Sequence, residues 1–260
     1  MPRWLFLALA LFLTSPGSEA GQSRSRETRI LVAAAASLSD LAPALSQAFR
    51  DVSGIAVRFN FAASNTLARQ IIEGARVDAF ISADRAQMDL VEKAGRLLTG
   101  SRFDLVSNQL VIIVSASDQP HAWPDALASS SVRRVAMGDP SAVPVGVYAR
   151  RWLESRRLWP QVAPKVVPLP TSPAVLAAVR EGRAQAGIVY ATDARSAAAG
   201  SVIRVAHVVP ADEAPAIVYP AAAVLGGHVH DAGKFLAFLR DRTAQSIFQS
   251  AGFRPVSGDR

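Results

Sequence analysis

Apolar residues along this chain fall either in short unbroken runs or at helical spacing, and the two kinds of segment take turns. Ile30 to Ala36 (ILVAAAA) is a run of buried-strand length. From Ser37 onward, Leu38, Leu41, Leu45 and Phe49 recur at helical intervals up to Gly54, which predicts a helix ended by glycine. Ile55 to Ala62 (IAVRFNFA) alternates as a strand, and Ser64-Asn65 opens a second helix, TLARQIIEG, stopped by Gly74. Asp78 to Ser82 (DAFIS) predicts a third strand and AQMDLVEKAG a third helix. Strand and helix in alternation with short connections predict a parallel sheet covered by helices.

Gln109 to Ser115 (QLVIIVS) reads as a long buried strand able to leave this unit. The pattern then restarts with a strand at Arg134 to Met137, a loop GDPSAVP, a helix through Val147 to Glu154, and a strand at Lys165 to Leu169. A helix at Pro173 to Arg180 and a strand at Ala186 to Tyr190 (AGIVY) follow. Ile203 to Val208 and Ala216 to Val224 (AIVYPAAAV) are further strands, although Pro220 interrupts the second. Phe235, Leu236, Phe238, Leu239, Ile247 and Phe248 mark an amphipathic helical end. Two α/β units with long strands between them, near 109–115 and 216–224, predict two lobes joined by two crossings. Lobe 1 is expected to span 27–107 plus 216–260, and lobe 2 to span 108–215. The pattern alone leaves open one continuous doubly wound sheet.

The first residues change the expected compartment. Arg3 precedes an apolar run, Trp4 to Leu13, too short to span a bilayer, and Ser18 and Ala20 set small residues at the −3 and −1 positions of a cleavage site. A signal peptide over residues 1–20 and a periplasmic location are expected. The chain has no cysteine, so disulfides, thiolate metal sites and an anchoring lipid on an N-terminal Cys are excluded. The net charge of +7 comes from scattered arginines, with only Lys93, Lys165 and Lys234 beside them. No basic run is long enough to suggest nucleic acid, and a solvated mixed-charge surface is expected.

Catalytic signatures are missing. No P-loop or dinucleotide glycine fingerprint follows a strand, and no G-x-S-x-G elbow supplies a hydrolase nucleophile. His228 and His230 beside Asp231 sit in a Gly-Gly turn with no third ligand, so a solvated loop is expected there. What recurs is a small or hydroxyl residue between a strand end and a helix start, at Ser37, Ser64, Pro144-Val145 and Ser172-Pro173. Helix N-termini carry unpaired N–H groups and partial positive charge, so such turns bind anions without charged side chains. A serine there is also an ordinary helix cap. Four such turns, two per lobe, reach "anion-binding bilobal protein" and identify no ligand.

The run AAAASLSDL (33–41) resembles the opening of the periplasmic molybdate-binding proteins of ABC importers. FAASNTLARQI (61–71), DAFISAD (78–84), GDPSAVPVGVYAR (138–150) and GIVYATDA (187–194) resemble further stretches of that family, in its order and spacing from about residue 29 to Phe253. The resemblance implies a bilobal type II periplasmic binding protein fold, α/β, with two lobes joined by two crossing strands. It implies a site for molybdate, and for tungstate, in which Ser37 and Ser64 give hydroxyls and amides, Val145 and Ser172 give amides, and Tyr190 gives its phenol. Molybdenum would then be held as molybdate through those same residues, with no cofactor. Asn65 and Ser172 depart from the small or hydroxyl and the aliphatic residues common in the family. The implied partners are the oxyanion and the membrane permease of an ABC importer, with the protein a monomer and nucleic acid no partner. Sulfate or another small anion, and a sensor or receptor of the same fold, remain open. A hydrolase using Ser37 or Ser64 lacks an evident base.

Overall fold

Strand β1 (Arg29–Ala35) is apolar on both faces because it lies inside a sheet, between β2 (Ala56–Ala62) and β3 (Ala79–Ile81), parallel to both. In the computed structural model, which describes residues 1, 29–118, 122–197 and 202–256, the chain folds around two five-stranded sheets. The segment expected to be a signal peptide, residues 1–20, lies outside the described residues apart from Met1. Among those that are described, no helix is long and apolar enough to cross a membrane.

The first sheet has the order β2-β1-β3-β10-β4, with β4 at Phe103–Asn108 and β10 at Ile217–Ala223. Its helices are α1 (Ala42–Ser53), α2 (Ser64–Ile72) and α3 (Arg85–Lys93). The second sheet has the order β7-β6-β8-β5-β9. Its strands are β5 (Leu110–Ser115), β6 (Val135–Gly138), β7 (Val166–Leu169), β8 (Ala186–Tyr190) and β9 (Ile203–Val208). The helices α4 (Pro144–Ser155), α5 (Trp159–Val162), α6 (Ser172–Arg180) and α7 (Ala191–Ala197) connect them. Each sheet holds three parallel strands and one inner strand that runs against them, β10 in the first and β5 in the second.

The crossings differ from the expectation. Leu110 to Ser115 is indeed a strand, buried up to Val114, but it is preceded by β4, which the apolar pattern did not predict, and only Gln109 separates the two. One crossing is therefore this β4–β5 junction, and the other is the stretch between β9 and β10. Pro220 is tolerated inside β10 because the pairing to β4 shifts register between Tyr219 and Pro220, a break at which a missing N–H costs little. The last helices, α8 (Val229–Leu239) and α9 (Arg242–Ser250), return to the first lobe. Phe235 meets Phe49 of α1 edge-on at 5.1 Å and Phe238 meets it at 5.3 Å. Burying a phenylalanine of this kind stabilises by about 1.5–3 kcal/mol, so the C-terminus is part of that lobe's core.

Two helices begin differently from the sequence expectation. The segment from Ser37 is a 3-10 turn, Ala36–Leu41, followed by α1, because Pro43 sits at a helix start rather than inside one. The fourth helix starts at Pro144, three residues earlier than the apolar spacing indicated, since proline suits a first helical turn.

That early start rests on a glycine pair. A Cβ on Gly146 would lie 2.0 Å from the carbonyl oxygen of Gly138, so the first turn of α4 packs directly on the end of β6. Gly146→Ala is expected to cost roughly 3 kcal/mol or more through backbone displacement. At Gly233, inside α8, a Cβ would meet nothing within 4 Å, and Gly233→Ala should gain up to about 1 kcal/mol of helix propensity. Urea denaturation of both variants checks the pair.

Candidate functional site

All the parallel strands of both sheets end at one cleft, and the chain turns there into helices. β1 leads into the 3-10 turn carrying Ser37, β2 into α2, β6 into α4 and β7 into α6, while Tyr190 is the last residue of β8. In open α/β sheets this carboxyl edge is where ligands bind. The structure brings Ser37, Ser64, Val145, Ser172 and Tyr190 together around one small cavity. Ala35, Ala36, Ala63 and Ala83 complete its first-lobe wall, and Val143, Pro144 and Thr171 its second-lobe wall. No acidic, basic or histidine side chain lines it. About 20 Å³ is open to the centres of water-sized atoms, a space with roughly one heavy-atom bond length from middle to edge. That is room for one small group.

The serines are not caps. Ala35, Ala63, Val143 and Thr171 occupy the capping positions, and of these only Thr171 caps through its side chain, accepting from the Ala174 N–H at 3.2 Å. Ser37, Ser64, Val145 and Ser172 are first or second residues of their helical segments. Their N–H groups have no acceptor within those segments and meet none elsewhere among the described residues. Four backbone donors thus face one cavity, with the positive ends of α2, α4 and α6 behind them.

Each hydroxyl has a separate arrangement. Ser64 Oγ accepts the Ala83 N–H at 2.8 Å, which leaves its own proton to be given away. Ser172 Oγ lies 2.5 Å from Asp193 Oδ2 and donates to it, so only its amide is left for the cavity. Tyr190 is buried and its hydroxyl has no hydrogen-bond partner among the described residues. Burial, then the neighbouring Tyr219 and Tyr148, holds that phenol well above the ordinary tyrosine range, so it stays a neutral donor. Asn65 does not line the cavity.

Several polar residues behind this wall were not singled out from the sequence pattern. Ser37 Oγ is 2.9 Å from the Tyr219 hydroxyl, and Asn108 Nδ2 donates to Tyr219 at 3.3 Å and to Thr192 at 3.0 Å. Asp193, inside the GIVYATDA stretch, is driven up to about 7 by burial, against the hydrogen bonds from Ser172 and the Tyr190 backbone. The available signal was a polar group inside otherwise apolar runs. No metal-holding group of three or more His, Asp or Glu residues occurs among the described residues. His228 is exposed, and its backbone N–H and ring Nδ1 (3.2 Å) both meet Asp78.

Comparison with known proteins agrees with this geometry. Residues 30–254 match the family profile described as bacterial extracellular solute-binding protein. The chain is 33% identical over 259 residues to the molybdate-binding protein ModA of Escherichia coli, covering 96% of this chain and 98% of that protein. A solved structure titled substrate binding domain of a putative molybdenum ABC transporter from Clostridium difficile aligns with TM-score 0.69 at 31% identity, over 88% of this chain and 99% of its own. The periplasmic molybdate-binding protein of Azotobacter vinelandii shares the fold, with TM-score 0.77 at 23% identity over 86% of this chain and 98% of that one. By profile, identity and fold, the chain belongs to the bacterial extracellular solute-binding proteins and has their bilobal type II periplasmic binding architecture.

Proposed function

We propose that this protein is exported to the periplasm, captures molybdate, and tungstate with it, in the cavity between its lobes, and delivers it to the membrane permease of an ABC importer. The observation that carries this reading is the chemistry of the cavity wall: hydroxyl and amide donors from both lobes and no carboxylate. A fully deprotonated tetrahedral dianion can accept from every one of these groups. Hydrogen phosphate would bring a proton that needs an acceptor, which the lining side chains supply poorly. A dianion buried without countercharge needs dense hydrogen bonding, and charge-assisted bonds to fixed amides are among the strongest available. The resident molybdenum would be cargo, held through its oxygens by Ser37, Ser64, Val145, Ser172 and Tyr190.

The protein acts by binding and does no chemistry in this reading. Ser64 Oγ receives a hydrogen bond from a backbone N–H and Ser37 is paired with a tyrosine, so neither has a base to activate it. Native mass spectrometry against molybdate, tungstate, sulfate and phosphate tests the assignment. Molybdate and tungstate should stay bound, sulfate should bind more weakly, and phosphate should not be retained. Retention of none of them, or of phosphate as readily as molybdate, would refute it.

Two substitutions separate the donors. Tyr190→Phe removes a hydroxyl that has no partner among the described residues, so apo melting should stay unchanged while molybdate affinity falls. A hydrogen bond to a charged group is worth about 1.5–3 kcal/mol, roughly a 10- to 150-fold loss. Ser64→Ala should lower affinity too, but it also leaves the buried Ala83 N–H without an acceptor, at a cost of about 1–3 kcal/mol of apo stability. Calorimetric titration with apo melting curves distinguishes them.

Asp193 makes a pH prediction. Burial raises its folded-state pKa from 3.8 to about 7, so the protonated form is favoured in the fold. Apo stability from this group is complete below the ordinary carboxylate range and is lost as pH rises to about 7. An ionised Asp193 against Ser172 also repels a bound dianion. Molybdate affinity should therefore decline as pH rises through about 7, by at most tenfold per unit, and Asp193→Asn should flatten the profile. Titrations across that range decide it.

A further inference from the structure

The hydrogen bonds behind Ser37 have a fixed direction. Asn108 is buried where β4 passes into β5, and its Oδ1 accepts the Gln109 N–H at 2.9 Å. That bond settles which end of the amide is which, so Nδ2 faces Thr192 Oγ1 at 3.0 Å and the Tyr219 hydroxyl at 3.3 Å. An amide nitrogen only donates, and its two hydrogens are taken by these two oxygens. The Tyr219 oxygen is therefore an acceptor toward Asn108. Its single proton has one remaining neighbour among the described residues, Ser37 Oγ at 2.9 Å. Burial also keeps Tyr219 protonated, since its pKa lies far above the ordinary tyrosine range. Ser37 Oγ thus accepts from Tyr219, and its own proton is turned toward the cavity that Ser37 lines.

We infer that Asn108 and Tyr219 are positioning residues that make Ser37 an obligate donor to the bound anion, and that this one-way chain is a determinant of selectivity against protonated anions. The inference deepens the oxyanion-binding reading and rests on it. A serine hydroxyl free to rotate can donate to one ligand and accept from another. Locked by Tyr219, the Ser37 hydroxyl has no hydrogen-bond acceptor for its own proton among the described residues, which leaves that proton for the ligand. A ligand that presents its own O–H there sets two protons against each other, and the buried Ser37 proton is left unpaired. The Ala83 N–H does the same for Ser64 by a shorter route, directly from the backbone. For Ser37 the donor is instead a side chain, Tyr219 on β10 of the same sheet. The hydrogen-bonded chain also reaches both lobes: Ser37 stands in the turn after β1, Tyr219 on β10 and Asn108 at the end of β4, all with the first sheet, and Thr192 at the start of α7 beside the second sheet.

The test is a double-mutant cycle with Ser37→Ala and Tyr219→Phe, titrated with molybdate and with inorganic phosphate at one pH, with apo melting on every variant. Tyr219→Phe keeps the ring that meets Tyr190 at 5.8 Å and Phe253 at 5.4 Å, so the fold should survive. Molybdate affinity should fall roughly 2- to 12-fold, the worth of one net hydrogen bond. The molybdate-to-phosphate ratio should narrow by a similar factor, because the freed Ser37 hydroxyl can now accept. In the Ser37→Ala background, Tyr219→Phe should change neither quantity further, whereas with Ser64→Ala the two losses should multiply. A loosened core would weaken both anions alike and leave their ratio unchanged. An unchanged ratio, or full additivity with Ser37→Ala, overturns the inference while leaving oxyanion binding intact. If the wild type binds no oxyanion, the functional reading itself fails, and the coupling between residues 37 and 219 in apo melting still reports whether their hydrogen bond exists.

Discussion

In the proposed reading, a doubly charged anion taken out of water loses a hydration shell worth far more than any single contact, and the residues lining the cavity include no cation to compensate. The fold is arranged around that deficit. Backbone N–H groups at helix starts are donors whose positions cost nothing further at the moment of binding, because the helices fix them in advance. To bring several such groups to one point, several strands must end at the same edge, each followed at once by a helix. Three parallel strands in each sheet do this, and the β4–β5 junction and the stretch between β9 and β10 join the two sheets. The packing of α4 on Gly138 serves the same end, since any side chain at Gly146 would push the Val145 amide away from its neighbours.

The legible parts of the chain were those where one residue type has one structural consequence. Unbroken apolar runs gave β1, β3, β5 and β8, and helical spacing with glycine stops gave α1 and α2. The turns at Ser37, Ser64, Val145 and Ser172 stood out because each stands where a strand gives way to a helix start. β4 was lost because FDLVSN mixes polar and apolar residues, as a strand at the edge of a sheet does. Asn108, Tyr219 and Asp193 were lost for another reason. Each has a side-chain partner between 21 and 182 positions away, and no local pattern encodes such a partner. Thr171 and Ser172 mark where local pattern stops informing: adjacent hydroxyls look alike in sequence, yet one caps its helix and the other bonds Asp193.

The arginine-rich composition bears on the surface and not on the cavity. Arg85 pairs with Asp104, Arg102 with Asp89 and Glu92, and Arg150 with Glu154, all at positions open to solvent where such pairs contribute little. A site built from guanidinium groups would hold any anion of the right charge and would weaken steeply in salt. A site built from fixed dipoles instead discriminates by whether each donor meets a lone pair, which depends on the proton inventory and shape of the ligand more than on its charge. That distinction explains why the proton directions behind the wall matter. With charge removed from the recognition, the proposed site is left with the orientation of single hydroxyl groups such as Ser37, Ser64 and Tyr190 to tell one tetrahedral anion from its protonated analogue.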